Sequence, residues 1–115
     1  MRKRVVILAS GTGSITQAIL DATDLDIQIV AVVSDKADAK VLDRARQAKI
    51  NTSVIELKDD RAAWDKQLFD QVNQYQPDLV ISAGFMKILS AEFVNFFPTI
   101  NSHPALLPDF PGAHA

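Results

Sequence analysis

Short runs of apolar, β-branched residues alternate along the chain with longer stretches in which apolar residues recur every three or four positions. This alternation predicts strands followed by helices, and therefore βα units around a parallel sheet. The second apolar run is interrupted only by Gln28, which is typical of a central strand covered on both faces. The predicted strands are residues 4–9, 27–33, 52–55, 78–83 and 99–103.

Four predicted helices connect these strands. The first begins directly behind a pair of glycines, and Asp59 or Asp60 and Ser90 are the expected N-caps of the third and fourth. The inward positions of the first helix are expected to be Ile15, Ala18, Ile19 and Ala22. Those of the fourth are expected to be Phe93, Phe96 and Phe97. We therefore expect an α/β fold, a Rossmann-like open and mostly parallel sheet with helices on both faces, truncated after the fifth strand.

Composition narrows the class of protein. With 115 residues, 48% apolar and 23% charged, the chain is expected to form one soluble globular domain. Its net charge of -2 gives little support to nucleic acid or an anionic membrane as a partner. The absence of cysteine excludes thiolate nucleophiles and Cys-ligated zinc, and with two histidines we expect no metal. The first apolar run is too short for a secretory signal, so the expected compartment is the cytoplasm.

The first candidate site is the glycine turn after the first strand. Gly11 and Gly13 precede a predicted helix N-terminus, where main-chain N–H groups face outward and can bind an anion. Thr16 stands where a dinucleotide fingerprint requires a third glycine, and no Gly-Lys-Ser/Thr follows for a P-loop. The turn therefore suits a single terminal phosphate, held by Gly13, Ser14 and Ile15. The alternative is a βα turn that binds nothing.

The second candidate is the pair Asn101 and His103. Side chains two apart on a strand point to the same side, and this pair is predicted at the carboxyl end of the fifth strand. An amide beside an imidazole can stabilise an oxyanion and move a proton near neutral pH. The alternative is a structural histidine that bonds a loop carbonyl.

The third candidate is the apolar loop at residues 84–89. A glycine at a strand end followed by apolar residues could form one wall of a slot for a flat heterocycle. Ordinary loop packing explains the same residues, and by itself this feature does not decide between the two.

Taken together, four segments resemble the phosphoribosylglycinamide formyltransferase family of folate-dependent enzymes. They are residues 10–14 (SGTGS), 35–39 (DKADA), 83–89 (AGFMKIL) and 101–108 (NSHPALLP). The resemblance extends over all 115 residues, which would make residues 1–115 the N-terminal nucleotide-binding part of a formyltransferase domain.

The resemblance implies formyl transfer from 10-formyltetrahydrofolate, as co-substrate, to the amine of glycinamide ribonucleotide in purine biosynthesis. It implies catalytic roles for Asn101 and His103. Contacts to the substrate phosphate would come from Gly11, Gly13, Ser14 and Ile15. Contacts to the folate would come from Met86, Lys87, Ile88, Leu89, Asn101 and Arg61.

The chain departs from the family pattern at several positions. In the family an aspartate further along raises the pKa of the histidine, and none of these 115 residues matches it, so we expect this chain alone to be nearly inactive. Measurable formyl transfer by it would contradict that expectation. Ile15 and Asp35 stand where asparagine is common, and Lys87 where arginine is common.

Two other functions stay open. A nicotinamide-dependent oxidoreductase is favoured by the glycine turn and by Asp35, which lies 24 residues after Gly11 and could bond a ribose hydroxyl. A non-catalytic phosphate-binding module is the other. Among other folate enzymes, a formyltetrahydrofolate hydrolase would carry an extra N-terminal domain. A methionyl-tRNA formyltransferase would be expected to have a basic surface for RNA. Neither feature is apparent in this sequence.

Overall fold

The computed structural model describes residues 2–22 and 24–102, in which strands and helices alternate. The strands are β1 (Lys3–Leu8), β2 (Ile27–Ser34), β3 (Asn51–Val54), β4 (Leu79–Ala83) and β5 (Thr99–Ser102). The helices are α1 (Ser14–Asp21), α2 (Lys40–Gln47), α3 (Arg61–Gln74) and α4 (Ala91–Phe96). Each element lies within a few residues of its predicted place, and His103, the last residue of the predicted fifth strand, lies outside the described residues.

The five strands form one parallel sheet in the order β3-β2-β1-β4-β5. The predicted Rossmann-like architecture is confirmed. β2 is an interior strand, as its apolar run predicts, but the middle of the sheet is β1. The strand order reverses between β1 and β4, and in open parallel sheets the crevice for a ligand opens beyond the carboxyl ends of two such strands.

Helices cover both faces of the sheet. On one face Val5 and Ile7 of β1 pack in a buried cluster with Val41 and Leu42 of α2, and α1 lies against the same cluster. The opposite face contains Val6 and Leu8 of β1, together with the buried residues of α3 and α4. Because alternate residues of β1 enter the two clusters, this strand is buried on both sides.

The inward face of α1 differs from the predicted one. Ala18 is exposed, whereas Thr16 is fully buried and Ile15 and Ile19 are partly buried. Residues 16 and 19 are one turn apart, so the buried stripe begins at a threonine that the apolar pattern did not count. Its methyl group lets threonine occupy such a position.

The expectation that Phe96 faces inward is wrong. Phe93 and Phe97 are buried, while Phe96 is 59% exposed. Positions 93 and 97 are four apart and share a face, whereas Phe96 ends a helix of only six residues on a neighbouring face. Its ring packs at the edge of the aromatic cluster, 5.0 Å from Phe69 and 4.8 Å from Phe97 between ring centroids.

Both predicted N-caps are present. Asp60 Oδ1 accepts a hydrogen bond from the Ala63 N–H at 3.2 Å, and Ser90 Oγ accepts one from the Phe93 N–H at 3.1 Å. Across residues 2–22 and 24–102, no helix has the length and hydropathy needed to cross a bilayer.

Candidate functional site

The glycine turn between β1 and α1 packs against α2 and accepts hydrogen bonds from it. Gly13 has a φ of 84° and is buried against Val41, where a Cβ atom would lie 2.6 Å from Val41 Cγ2. The Val41 N–H donates to the Gly11 carbonyl at 3.1 Å, and Arg44 Nε donates to the Thr12 carbonyl at 2.6 Å. The carbonyl groups of the turn are thus held by hydrogen bonds from α2, and only glycine fits position 13 without strain.

The N-terminus of α1 opens at this turn. The Gln17 N–H makes the first helical bond, to the Gly13 carbonyl at 2.7 Å, and no side chain caps the helix. Within the described residues, the N–H groups of Ser14 and Ile15 have no hydrogen-bond acceptor. No acidic residue lies in the first turn. Free amides and the positive end of a helix dipole are the features that would favour an anion at this position.

The loop that follows β4 forms the second part of the site. Gly84 has a φ of 73°, and after it Phe85 turns inward and stacks on Trp64 with 6.1 Å between ring centroids. The next side chains face solvent: Met86 is 69% exposed and Ile88 is 83% exposed. Two exposed apolar side chains in one loop form a surface that an apolar ligand could cover.

These side chains line a cleft of about 470 Å³ at the carboxyl ends of β4 and β5. A cleft of this size falls in the range that accommodates small organic ligands. Its lining residues are Ser82, Phe85, Met86, Lys87, Ile88, Leu89, Val94, Thr99 and Asn101. Four of the predicted folate residues, positions 86–89, and Asn101 therefore meet in one cavity.

Asn101 reaches the cleft from β5, where it pairs in register with Ser82 of β4. Its side chain is exposed, as a group that meets a ligand must be. The second member of the predicted pair, His103, lies outside the described residues, so the Asn101/His103 geometry stays a prediction.

Arg61 occupies a different place from the other predicted folate residues. It lies outside the cleft lining, with its Nη2 donating to the Ile88 carbonyl and its Nε bonded to Asp65 Oδ1 at 2.9 Å. Its guanidinium also lies over the Trp64 ring at 4.9 Å from the centroid. These contacts support the loop from α3.

A buried polar network joins the glycine turn to the loop after β4. Ser10 Oγ donates to Asp35 Oδ1 at 2.6 Å and accepts from the Met86 N–H at 2.8 Å. Lys87 Nζ donates to Asp35 Oδ2 at 2.7 Å. Residues 10, 35 and 86–87 follow β1, β2 and β4, so the network links the ends of three adjacent strands.

The charge on Asp35 is stabilised by this network. Burial by itself would raise the pKa of the Asp35 carboxyl, but the hydrogen bonds from Lys87 and Ser10 and the charge of Lys87 outweigh burial and lower it. The carboxylate side chain is 0% exposed and both its oxygens are bonded. This arrangement argues against a role for Asp35 in binding a ribose hydroxyl, because no part of the carboxylate is open to a ligand.

Sequence reasoning missed several residues of the site. Ser10 and Arg44 were not proposed to position it, and Ser82, Val94 and Thr99 were not proposed to line it. A partial signal existed for Ser10, which follows a buried strand directly. Lys87 and Asp35 are 52 positions apart, and nothing in a single sequence links them. In the described part of the chain, no group of three potential metal ligands occurs.

Comparison with known proteins adds an independent observation. A family model described as formyl transferase matches residues 3–115. The phosphoribosylglycinamide formyltransferase of Escherichia coli (strain K12) is 45% identical over 117 residues, covering 96% of this chain and 55% of that protein. The trifunctional purine biosynthetic protein adenosine-3 of Drosophila melanogaster is 43% identical over 122 residues, covering 98% of this chain and 9% of that protein.

A solved structure matches as well. The phosphoribosylglycinamide formyltransferase from Brucella melitensis superposes with a TM-score of 0.86 at 37% identity, over 99% of this chain and 63% of that one. The chain spans about half the length of the curated single-function relatives it matches. With the family model matched over nearly all of its residues and the same fold in a solved relative, this chain belongs to the formyl transferase family.

Proposed function

We propose that this chain binds glycinamide ribonucleotide and 10-formyltetrahydrofolate side by side, for transfer of the formyl group to the ribonucleotide amine in purine biosynthesis. Residues 1–115 act as the nucleotide-binding part of a formyltransferase domain. The proposal is supported by the match to the formyl transferase family and by the similarity to relatives described as phosphoribosylglycinamide formyltransferases.

One observation carries the proposal more than any other. The uncapped start of α1 and the cleft after β4 lie at the same edge of the sheet, beyond the neighbouring strands β1 and β4. A phosphate monoester at the turn and a flat heterocycle in the cleft would therefore be neighbours at that edge. Neither a phosphate module nor a single-ligand site needs both features.

The phosphate of the ribonucleotide is assigned to the turn. The N–H groups of Gly13, Ser14 and Ile15 and the Ser14 hydroxyl are the proposed donors, because the main-chain amides at a helix start converge on one anion. Gly11 contributes by its lack of a side chain, since the space around its Cα is open.

The formyl donor is assigned to the cleft. Met86 and Ile88 are exposed apolar side chains in its lining, and Lys87 and Leu89 line it as well. Arg61 acts on the donor indirectly, because its guanidinium donates a hydrogen bond to the Ile88 carbonyl and so positions the loop that lines the cleft.

The reaction proceeds by direct attack of the ribonucleotide amine on the formyl carbon. A tetrahedral oxyanion forms, the bond from carbon to the folate nitrogen breaks, and one proton passes from the attacking nitrogen to the leaving nitrogen. We assign stabilisation of the oxyanion to the Asn101 amide, which lies in the cleft, and movement of the proton to His103. The step as written requires no covalent bond to the protein.

Binding experiments test the proposal. The purified chain is titrated calorimetrically with glycinamide ribonucleotide and, separately, with a folate analogue that cannot give up a formyl group. We expect saturable binding of both. The folate analogue should also change the fluorescence of Trp64, the only tryptophan of the chain, because Phe85 connects its ring to the cleft wall.

A matched pair of variants locates the donor site. Ile88→Ala should weaken the folate analogue about fivefold or more by removing apolar contact area, with little effect on folding because the side chain is exposed. Leu25→Ala makes a similar change at an exposed leucine just before β2, at the opposite edge of the sheet, and should leave the affinity unchanged.

The alternatives predict other results. Saturable binding of NADH without binding of the folate analogue would favour an oxidoreductase, and binding of the phosphate ligand alone would favour a phosphate module. If neither ribonucleotide nor folate analogue binds, the proposed function is wrong.

A further inference from the structure

Asp35 and Lys87 form a shielded ion pair at the boundary between the two halves of the site. The Asp35 side chain is 0% exposed and that of Lys87 is 22% exposed, with 2.7 Å between Nζ and Oδ2. The other ion pairs in the described part of the chain lie within single helices and have more exposed side chains. The Asp35–Lys87 pair is therefore distinguished both by burial and by the distance in sequence that it spans.

An ion pair with a fully buried carboxylate resists rearrangement. An exposed pair exchanges readily with water, but removing one partner of a buried pair leaves an uncompensated charge out of water, which is strongly unfavourable. The same carboxylate accepts the Ser10 hydroxyl, and that hydroxyl is 2.8 Å from the Met86 amide nitrogen. Moving the loop at residues 86–88 would therefore break both the ion pair and the hydrogen bond from the Met86 amide to Ser10.

The loop is anchored on its other side as well. Arg61 donates to the Ile88 carbonyl, and Phe85 is stacked on Trp64. The exposed side chains Met86 and Ile88 lie between these anchors, so the anchors determine how the side chains project into the cleft.

We propose that Asp35 and Lys87 are positioning residues, which hold the cleft wall at a fixed place relative to the phosphate-binding turn without their charges contacting either ligand. The inference rests on the proposed function for the identity of the ligands. Lys87 is one of the residues that line the cleft, while its ammonium is bound by Asp35. The phosphate-binding turn depends less on this pair, because Val41 and Arg44 hold it separately.

The first measurement needs no ligand. Amide hydrogen exchange is followed at Met86, whose N–H donates to Ser10, and at Phe93, whose N–H donates to Ser90 in the same region of the fold. In Asp35→Asn the Met86 amide should exchange about tenfold faster or more, and the Phe93 amide should exchange at the same rate as before. The reason is that the substitution makes local unfolding easier only where the network is broken. Equal protection of Met86 in the variant and the parent chain would overturn the proposal.

The second measurement compares ligands. Asp35→Asn should weaken the folate analogue about fivefold, and glycinamide ribonucleotide by less than about twofold, in line with loss of one buried bond on the cleft side. A residue that acted only on global stability would weaken both ligands alike or neither. That result would also overturn the proposal.

A double-variant cycle separates positioning from direct contact. If the Lys87 ammonium bound the folate directly, Lys87→Met would weaken the analogue whether or not Asp35 is present. If it acts through Asp35, the double variant Asp35→Asn with Lys87→Met should bind more tightly than Asp35→Asn alone, because no unpaired ammonium remains. Lys87→Arg, which keeps the charge, should retain most of the affinity.

Two further variants serve as a control and as an alternative to Asp35→Asn. Asp70→Asn makes the same chemical change at the exposed Lys66–Asp70 pair of α3 and should alter neither exchange at Met86 nor affinity. Ser10→Ala keeps the ion pair, removes the hydroxyl that Met86 bonds, and serves if Asp35→Asn folds poorly. Should the parent chain fail to bind the folate analogue, the proposed function fails, and the exchange experiment still decides whether the pair positions the loop.

Discussion

At the scale of single residues, the glycines of the site play different physical parts. Gly13 combines a positive φ with a close approach to α2, whereas Gly11 has neither constraint and has open space where a side chain would lie. The sequence pattern treats them as one motif. Only their surroundings separate the glycine required by the fold from the one that merely leaves room.

The Gly13→Ala substitution tests this difference. Its Cβ would overlap Val41 and its φ would be unfavourable, so we expect a loss of about 2 to 4 kcal/mol in the free energy of unfolding. Gly11→Ala is the matched control and should cost less than about 1 kcal/mol. Urea unfolding of the two variants measures the difference, and equal midpoints would contradict the assignment.

Thr16 is a second position where one atom matters. Its Oγ1 is buried and has no hydrogen-bond partner within the described residues. Replacing it by valine, which has nearly the same shape, should therefore stabilise the protein by about 1 kcal/mol. Thermal unfolding measures this, with Thr16→Ser as the control that keeps the hydroxyl and should destabilise. A lower midpoint for Thr16→Val would show that the hydroxyl is satisfied.

At the scale of elements, the site is assembled where strands end and helices begin. The turn at the start of α1, the loop after β4 and the start of α4 all lie at the carboxyl edge of the sheet. Ser90 ends the cleft loop and caps α4, whose Phe93 is buried in the core. The cleft wall is thus joined directly to a core helix of six residues, which makes its cap important.

Ser90→Ala should cost about 1 kcal/mol in the free energy of unfolding, because the Phe93 N–H loses its acceptor at the start of a short helix. Chemical denaturation gives the value, and Ser90→Asp, which can still cap, should restore most of the stability. The result would be contradicted by a Ser90→Ala variant that unfolds at the same denaturant concentration as the parent chain.

At the scale of the whole molecule, the strand order brings distant segments to one edge. Because β1 lies between β2 and β4, the residues that follow these three strands are neighbours, although they are 25 to 76 positions apart in the chain. The network of Ser10, Asp35, Met86 and Lys87 is the result. Stability of the whole domain should therefore depend on the charge of Asp35.

The pH dependence of stability follows from the lowered pKa of Asp35. The folded carboxyl has a pKa below its ordinary value of 3.8. Its contribution to the free energy of unfolding is therefore fully present above that value and is lost as the pH falls through the folded pKa. We expect Asp35→Asn to be less stable than the parent chain near neutral pH. The difference in the free energy of unfolding between the two proteins should decrease only below about pH 4.

The check is a series of urea unfolding curves of both proteins from neutral pH into the acid range. Lys36, Asp38, Glu56 and Lys58 line the polar cleft beside the pair, but they are present in both proteins, so the difference between the two curves isolates Asp35. A gap that stays constant into strong acid would contradict the argument.

Much of the fold was determined by local sequence. The period of the apolar residues distinguished strands from helices, Asp60 and Ser90 capped the helices expected, and Gly11 and Gly13 marked the turn at which α1 begins. Each of these depends on interactions within a few residues, which a single sequence contains. The predictions for Ala18 and Phe96 failed because a buried stripe is chosen by what the helix packs against.

The tertiary structure decided the rest. The Asp35–Lys87 pair, the use of Ser10 to bond Met86, and the cleft shared by Asn101 and the loop at residues 86–89 all depend on which strands are neighbours. Strand order is a property of long-range packing, with many residues between the partners, and the apolar pattern does not encode it. The local sequence therefore specified the turn and the loop that flank the candidate site, while the order of the sheet placed them together and brought Lys87 to the buried carboxylate of Asp35.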